Sequence, residues 1–211
     1  MNIPPIYLAS ASPRRSALLQ QIAIPHQVCV PDVDESRLAG ESPAEYVVRL
    51  ARAKAQRVWQ HLTPDQRRPV LAADTTVALG NDIFGKPQHR SEAVAMLQRL
   101  SGVTHQVFTG VAVYHAGGLE HALSVSEVTM RQLSLAECEA YWHSGEPQDK
   151  AGGYAVQGLA AAFIREIKGS YSGVMGLPLY ETSQLLTALG WSLGQAADDS
   201  DKLVVKGEFC V

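Results

Sequence analysis

"IYLASASPRRSALLQQI", residues 6–22, opens with a short apolar run and closes with apolar side chains at helical intervals. "IYLAS" predicts a buried strand, and "RRSALLQQI" predicts an amphipathic helix. Pro13 suits the first turn of that helix because its missing N–H would have no intrahelical acceptor there, which makes Ser12 the expected N-cap. A strand feeding directly into a helix is the first sign of an α/β chain.

Moving outward, "HQVCV" predicts a second strand, followed by the acidic loop "PDVDESRLAGES". A long helix is expected from Ser42 and Pro43 through "AEYVVRLARAKAQRVWQHL", ended by "TPDQRRP". "VLAADTTVAL" has the β-branched and apolar bias of a central strand, and "GNDIFGKP" reads as a turn and connection. A helix over "SEAVAMLQRL" is expected, capped near Ser91. "HQVFTGVAVYH" and "LEHALSVSEVTM" predict two strands joined at Gly117-Gly118. "SLAECEAYWHSG" predicts a helix capped by Ser134, "EPQDKAGGYAVQG" and "AAFIREIKG" read as loop and strand, and "PLYETSQLLTALG" predicts the last helix. Alternating strands and helices followed by longer paired strands imply a mixed α/β (α+β) fold around a central sheet. One domain over residues 1–195, open to division into two lobes, and a tail over 196–211 are expected.

Composition narrows the function classes. The 211 residues are 46% hydrophobic and 18% charged, with a formal net charge of -3, which fits a globular chain rather than a disordered one. Without a basic run, a broad nucleic-acid surface is not expected. No stretch nears the roughly 20 apolar residues that span a bilayer, and "MNIPPIYLAS" lacks the pattern of a signal peptide. Cys29, Cys138 and Cys210 are odd in number and form no CxxC motif, which fits a reducing compartment. A cytoplasmic location, with no membrane or polymeric nucleic-acid partner, is therefore the expectation.

Several polar residues stand out as candidates. Ser10, Ser12, Arg14 and Arg15 surround a predicted helix N-terminus, which is either an ordinary capped helix start or, because free N–H groups favour an anion, a phosphate site. Adjacent helix positions diverge by about 100 degrees, so both arginines need not face one ligand. Asp74 falls in an otherwise apolar strand and reads as a general base, a divalent-metal ligand or a solvated strand end. Glu35, beside Asp32 and Asp34, is either a source of oxygen ligands for Mg²⁺ or Mn²⁺ or part of a solvated acidic loop. Lys54 and Lys86 either neutralise phosphate charge or sit at the surface. In "SGEPQDKAGGYAVQG", Gly152 and Gly153 allow close backbone approach, and Gln157 offers both a donor and an acceptor to a base edge. The same passage offers Glu146, Asp149 and Lys150 as polar candidates, and it reads alternatively as a structural turn followed by a strand. No GxGxxG, HExxH or GxSxG pattern occurs, so a Rossmann site, a zinc protease and a serine hydrolase are unsupported.

Taken together, "LASASPRR", "ESPAEYVVRLARAKA", "LAADTTV", "FGKP", "LSGVTHQVFTGVAV", "GEPQDKAGGYAVQG" and "IKGSYSGVMGLPL" resemble the Maf family of nucleoside triphosphate pyrophosphatases, historically called septum formation proteins. The likeness runs from about Ile6 to Leu189. "AADT" with "DKAGGYAVQG" is similar to the branch acting on dTTP and UTP rather than the branch acting on 7-methyl-GTP. The resemblance implies Asp74 as the catalytic residue and Arg14, Thr75 and Gln157 as residues that govern substrate choice. Ser10, Ser12, Arg14, Arg15, Lys54 and Lys86 would line the phosphate site, and Asp74 and Glu35 would hold Mg²⁺ or Mn²⁺. It further implies an elongated mixed sheet with an active-site cleft, similar to inosine triphosphate pyrophosphatase, and a homodimer. Gly153 and Val156 depart from the commoner wording of the late loop, leaving the ranking of dTTP, UTP and CTP open. A 7-methyl-GTP pyrophosphatase and a nucleotide-binding regulator of septum formation are the alternatives.

Overall fold

The strand-to-helix transition at the N-terminus forms where the sequence places it. In a computed structural model, which describes residues 4–191 and 204–206, strand β1 spans Ile6–Leu8 and helix α1 spans Pro13–Gln21. Ser12 is the N-cap and Pro13 occupies the first turn, but the Ser12 side chain makes no capping hydrogen bond. Strand β2 is His26–Val28, and helix α2 is Pro43–His61. Ser42 and Glu45 close a capping box at the start of α2, each satisfying a backbone N–H that the helix leaves free.

Strand β3 (Val70–Leu79) is followed by β4 (Asp82–Phe84), helix α3 (Arg90–Leu100), and strands β5 (Thr104–His115) and β6 (Gly118–Met130). Helix α4 (Leu135–His143), strand β7 (Ile164–Lys168), the short helix α5 (Tyr171–Met175), helix α6 (Leu179–Thr187) and strand β8 (Val204–Lys206) complete the order. Among the described residues the strands run β7-β6-β5-β3-β1-β2-β8 in one sheet, with β4 antiparallel to β3. β1 pairs in parallel with β2 and β3, while β6 and β7 are antiparallel. The fold is thus α/β with a mixed central sheet flanked by helices.

Some local expectations need correction. Helix α3 is capped by His89, not Ser91: the extended His89 backbone lets its ring Nδ1 accept the Glu92 N–H at 3.3 Å. No strand forms over "YAVQG", because Gly152 and Gly153 adopt positive φ and bend the chain through short 3-10 turns. The α5 turn was not foreseen. Of the tail expected over 196–211, only β8 belongs to the described residues, and the rest lies outside them.

The chain divides into two compact units. The first holds the described residues up to Asp74, Thr109–Leu123 and those from Gly176 onward. In it, Ala51, Ala55, Val58 and Trp59 of α2 pack with Tyr7, Val70, Ala72 and Ala112 from the strands and with Ala9 just beyond β1. Small side chains let helix and sheet approach closely. A Cβ on Gly110 of β5 would lie only 2.6 Å from the Val47 carbonyl oxygen of α2, so the glycine is what that approach requires.

The second unit holds Thr75–Phe108 and Ser124–Met175. Val94, Leu97 and Leu100 of α3 and Cys138 and Tyr141 of α4 pack with Val77, Phe84, Val107, Val128 and Met130 of the strands. Burying each leucine stabilises the unit by about 1.5–3 kcal/mol. Among the described residues no helix is long and apolar enough to cross a membrane.

Candidate active site

In the first unit, the buried strand β3 delivers Asp74 and the buried side of α2 delivers Lys54. Both residues are only 8% exposed, so neither charge would tolerate its position unpaired. Lys54 Nζ donates to Asp74 Oδ1 at 2.6 Å and lies 2.5 Å from Glu35 Oε1. One ammonium therefore gathers two carboxylates, one from the core of a strand and one from an exposed loop.

Burial pushes the Asp74 pKa upward, while Lys54 and then Arg15 pull it back. A carboxylate held in this balance is more basic than one in water. Burial likewise lowers Arg15, against the opposing pull of Asp74.

Ser10 and Arg15 meet at the β1–α1 junction. Arg15 Nη1 donates to Ser10 Oγ at 3.0 Å, and Arg15 Nε donates to the Gly176 carbonyl at 2.8 Å. The Ser12 N–H also donates to Ser10 Oγ, at 3.1 Å. With its oxygen accepting twice, Ser10 keeps its own hydroxyl proton to donate. The unused cap of α1 and the neighbouring guanidinium make this junction suited to an anion. Arg14 lies one position earlier on the same helix turn.

Thr75, Lys86 and Gln157 belong to the second unit. Lys86 and Gln157 are exposed, and Thr75 is half-buried on β3. Gln157 follows a tightly held turn. The Tyr141 hydroxyl donates to Glu146 Oε1 at 2.5 Å, and its oxygen accepts the Ala155 N–H at 3.1 Å. Glu146 Oε2 then accepts the Leu159 N–H at 2.9 Å. Glu146, a candidate polar ligand by sequence, is thus engaged in bracing the loop on both sides of Gln157. Lys150 Nζ donates to the Glu146 carbonyl at 2.7 Å.

Among the described residues, no group of three or more His, Cys, Asp or Glu side chains gathers as a metal cluster. Asp74 and Glu35 nevertheless share one cation, the Lys54 ammonium. Their donor set is oxygen only, the preference of Mg²⁺ and Mn²⁺, which keep several waters and need few protein ligands. The pair fits such an ion.

The Maf-like protein family model matches residues 5–189. The chain belongs to the Maf family. The dTTP/UTP pyrophosphatase of Bordetella avium is 52% identical over 198 residues, covering 91% of this chain and 98% of its own. That of Alkalilimnicola ehrlichii is 52% identical over 186 residues, covering 87% and 92%. That of Pseudoalteromonas atlantica is 48% identical over 185 residues, covering 87% and 96%. The Staphylococcus aureus Ham1 protein structure aligns with 88% of this chain and 97% of its own, at a TM-score of 0.45 and 12% identity. That likeness is too slight to carry an inference. In this Maf chain, the resemblance joined Asp74 with Glu35 at a metal ion and set Lys54 among the phosphate ligands, without foreseeing the Lys54 ammonium between the two carboxylates. Sequence reasoning missed Glu41, within the acidic loop, and Tyr46 and Arg49, whose only local signal is their place beside that loop.

Proposed function

We propose that this protein hydrolyses dTTP and UTP at the α–β phosphoanhydride, releasing a nucleoside monophosphate and pyrophosphate. Near-full-length identity of about half to dTTP/UTP pyrophosphatases carries the reading. The pairing of a buried carboxylate with cationic side chains supports it chemically.

Asp74 takes a proton from the attacking water as its oxygen adds at phosphorus. The bridging anhydride bond breaks and the pyrophosphate leaves with the bond's electron pair. Asp74 suits the task because burial raises its basicity while Lys54 keeps it oriented. Arg15 and Ser10, fixed against each other, and Arg14 offer donors to phosphate oxygens. They accelerate the reaction to the extent that their contacts strengthen as charge shifts to the leaving group. Asp74 and Glu35 would hold Mg²⁺ or Mn²⁺, which supplies Lewis-acid charge to the phosphates when bound. Ser12, Lys54 and Lys86 are assigned to the phosphate site, and Arg14, Thr75 and Gln157 to substrate choice, on the family resemblance. The same resemblance supports a homodimer, which light scattering tests.

The deciding experiment incubates purified protein and Mg²⁺ with dTTP, UTP, CTP and 7-methyl-GTP and separates products by ion chromatography. Monophosphate and pyrophosphate from dTTP and UTP are expected. Orthophosphate with diphosphate would overturn the bond assignment, and a strong preference for 7-methyl-GTP would overturn the branch.

A further inference from the structure

The loop that carries Glu35 is braced locally by Asp34, whose Oδ1 accepts the Ser36 N–H at 2.8 Å. Residues 32–40 contain no helix or strand, and apart from the half-buried Val33 they are exposed. Still, the Glu35 carboxylate reaches Lys54. A coil segment holds a side chain in one position only when something else removes its freedom.

Helix α2 supplies that restraint from its first turns. The Tyr46 hydroxyl donates to the Glu35 carbonyl at 2.9 Å, and Arg49 Nη2 donates to the next carbonyl, that of Ser36, at 2.9 Å. Two consecutive peptide oxygens are thereby tied to residues three apart on one helix face. Arg49 is itself aimed. Its Nε lies 2.5 Å from Glu41 Oε1 and its Nη2 2.8 Å from Glu41 Oε2, a bidentate pair in which Glu41 is buried. The second Glu41 oxygen also accepts the Leu38 N–H at 3.1 Å, and Arg37 Nε donates to the Glu41 carbonyl at 2.9 Å. The Arg49 guanidinium lies 5.6 Å from the centre of the Tyr46 ring. Lys54, two turns further along α2, is the residue that the tethered Glu35 meets.

We propose that Tyr46 and Arg49, with Glu41 orienting Arg49, are positioning residues that present the Glu35 carboxylate to the Lys54–Asp74 pair and thereby set the affinity for a divalent cation. The inference rests on the assignment above of Glu35 and Asp74 as ligands of that ion. A helix cap would account for hydrogen bonds near the start of α2, but Ser42 and Glu45 already provide it. The Tyr46 and Arg49 bonds go instead to the backbone of Glu35 and its neighbour.

The test measures Mn²⁺ binding to the full chain by electron paramagnetic resonance, without nucleotide, alongside hydrogen exchange of residues 33–38 and thermal unfolding. Tyr46→Phe deletes a single hydroxyl, and Arg49→Lys keeps the charge but loses the fork. Each is expected to weaken Mn²⁺ binding about tenfold, in line with outer-shell groups at metal sites, and to speed exchange across the loop. On a Glu35→Gln background, Tyr46→Phe should have no further effect on Mn²⁺, an outcome that a general loss of stability would not produce. If the wild type fails to bind Mn²⁺, or Glu35→Gln binds it equally well, the ligand assignment falls and this inference with it. If Glu35→Gln weakens binding but Tyr46→Phe and Arg49→Lys stay within twofold of wild type, the positioning role alone is overturned.

Discussion

Replacing His105 with Asn should flatten part of the protein's acid sensitivity. His105 lies on β5 and is 1% exposed, with Nε2 2.8 Å from the Tyr154 hydroxyl. The rings meet edge to face at 5.4 Å, and Nδ1 has no hydrogen-bond partner among the described residues. Protonation would place a cation in this core and leave one N–H without an acceptor. Burial accordingly lowers the His105 pKa from 6.5 to about 4. A histidine whose folded pKa is depressed binds more protons when unfolded, so its contribution is intact above pH 6.5 and is lost as pH falls toward 4. At about 1.4 kcal/mol per unit, the loss is about 2 kcal/mol between pH 7 and pH 5 and about 3 kcal/mol by pH 4. His26, also buried and lowered by desolvation, acts in the same direction but is unchanged in the variant. Urea unfolding of both proteins at pH 7, 6 and 5 isolates the His105 share. The variant should start less stable at pH 7, and the gap should narrow by about 2 kcal/mol at pH 5. A gap that stays constant with pH would refute the reasoning, because His105 would then titrate alike in both states.

Other perturbations follow from the same contacts. Asp74→Asn should lower kcat for dTTP by about 10²–10⁴-fold with the fold retained by circular dichroism, as expected for loss of a general base; pyrophosphate release within tenfold of wild type would remove Asp74 from proton transfer. Gly110→Ala should destabilise by about 1–3 kcal/mol, because the added methyl meets the α2 backbone and not a movable side chain; an unchanged urea midpoint would show that the helix yields freely. Tyr141→Phe should cost about 1–3 kcal/mol by leaving the Ala155 N–H and Glu146 short of a partner. Limited proteolysis within residues 151–158 should accelerate in that variant, and an unchanged cleavage rate would contradict the bracing role of Tyr141.

The elements legible in the sequence are those fixed by near neighbours. Pro13 starts α1, and Ser42–Glu45 and Ser134–Glu137 close capping boxes, because each signal acts within three or four residues. The same locality explains the failures. His89 displaces Ser91 as a cap because its backbone is already extended there, and the paired left-handed glycines break a segment whose apolar pattern suits a strand. Family membership and the candidate residues were also readable, since many short motifs recur in order along the chain.

Tertiary structure alone decided how those residues are used. Lys54 and Asp74 are 20 positions apart, and only the packing of α2 on the sheet, permitted by Gly110 and the alanines, brings the ammonium to the carboxylate. Glu35 could have been one solvated acid among three. Tyr46 and Arg49 tie its backbone down, and no periodicity encodes a side chain that holds a carbonyl 11 or 13 residues away. The sequence by itself determined the strands, helices and chemical types available, because those depend on local hydrogen bonding and patterning. Which charges share one buried site was settled by the fold, because pairing them repays desolvation only after the chain has brought distant segments together.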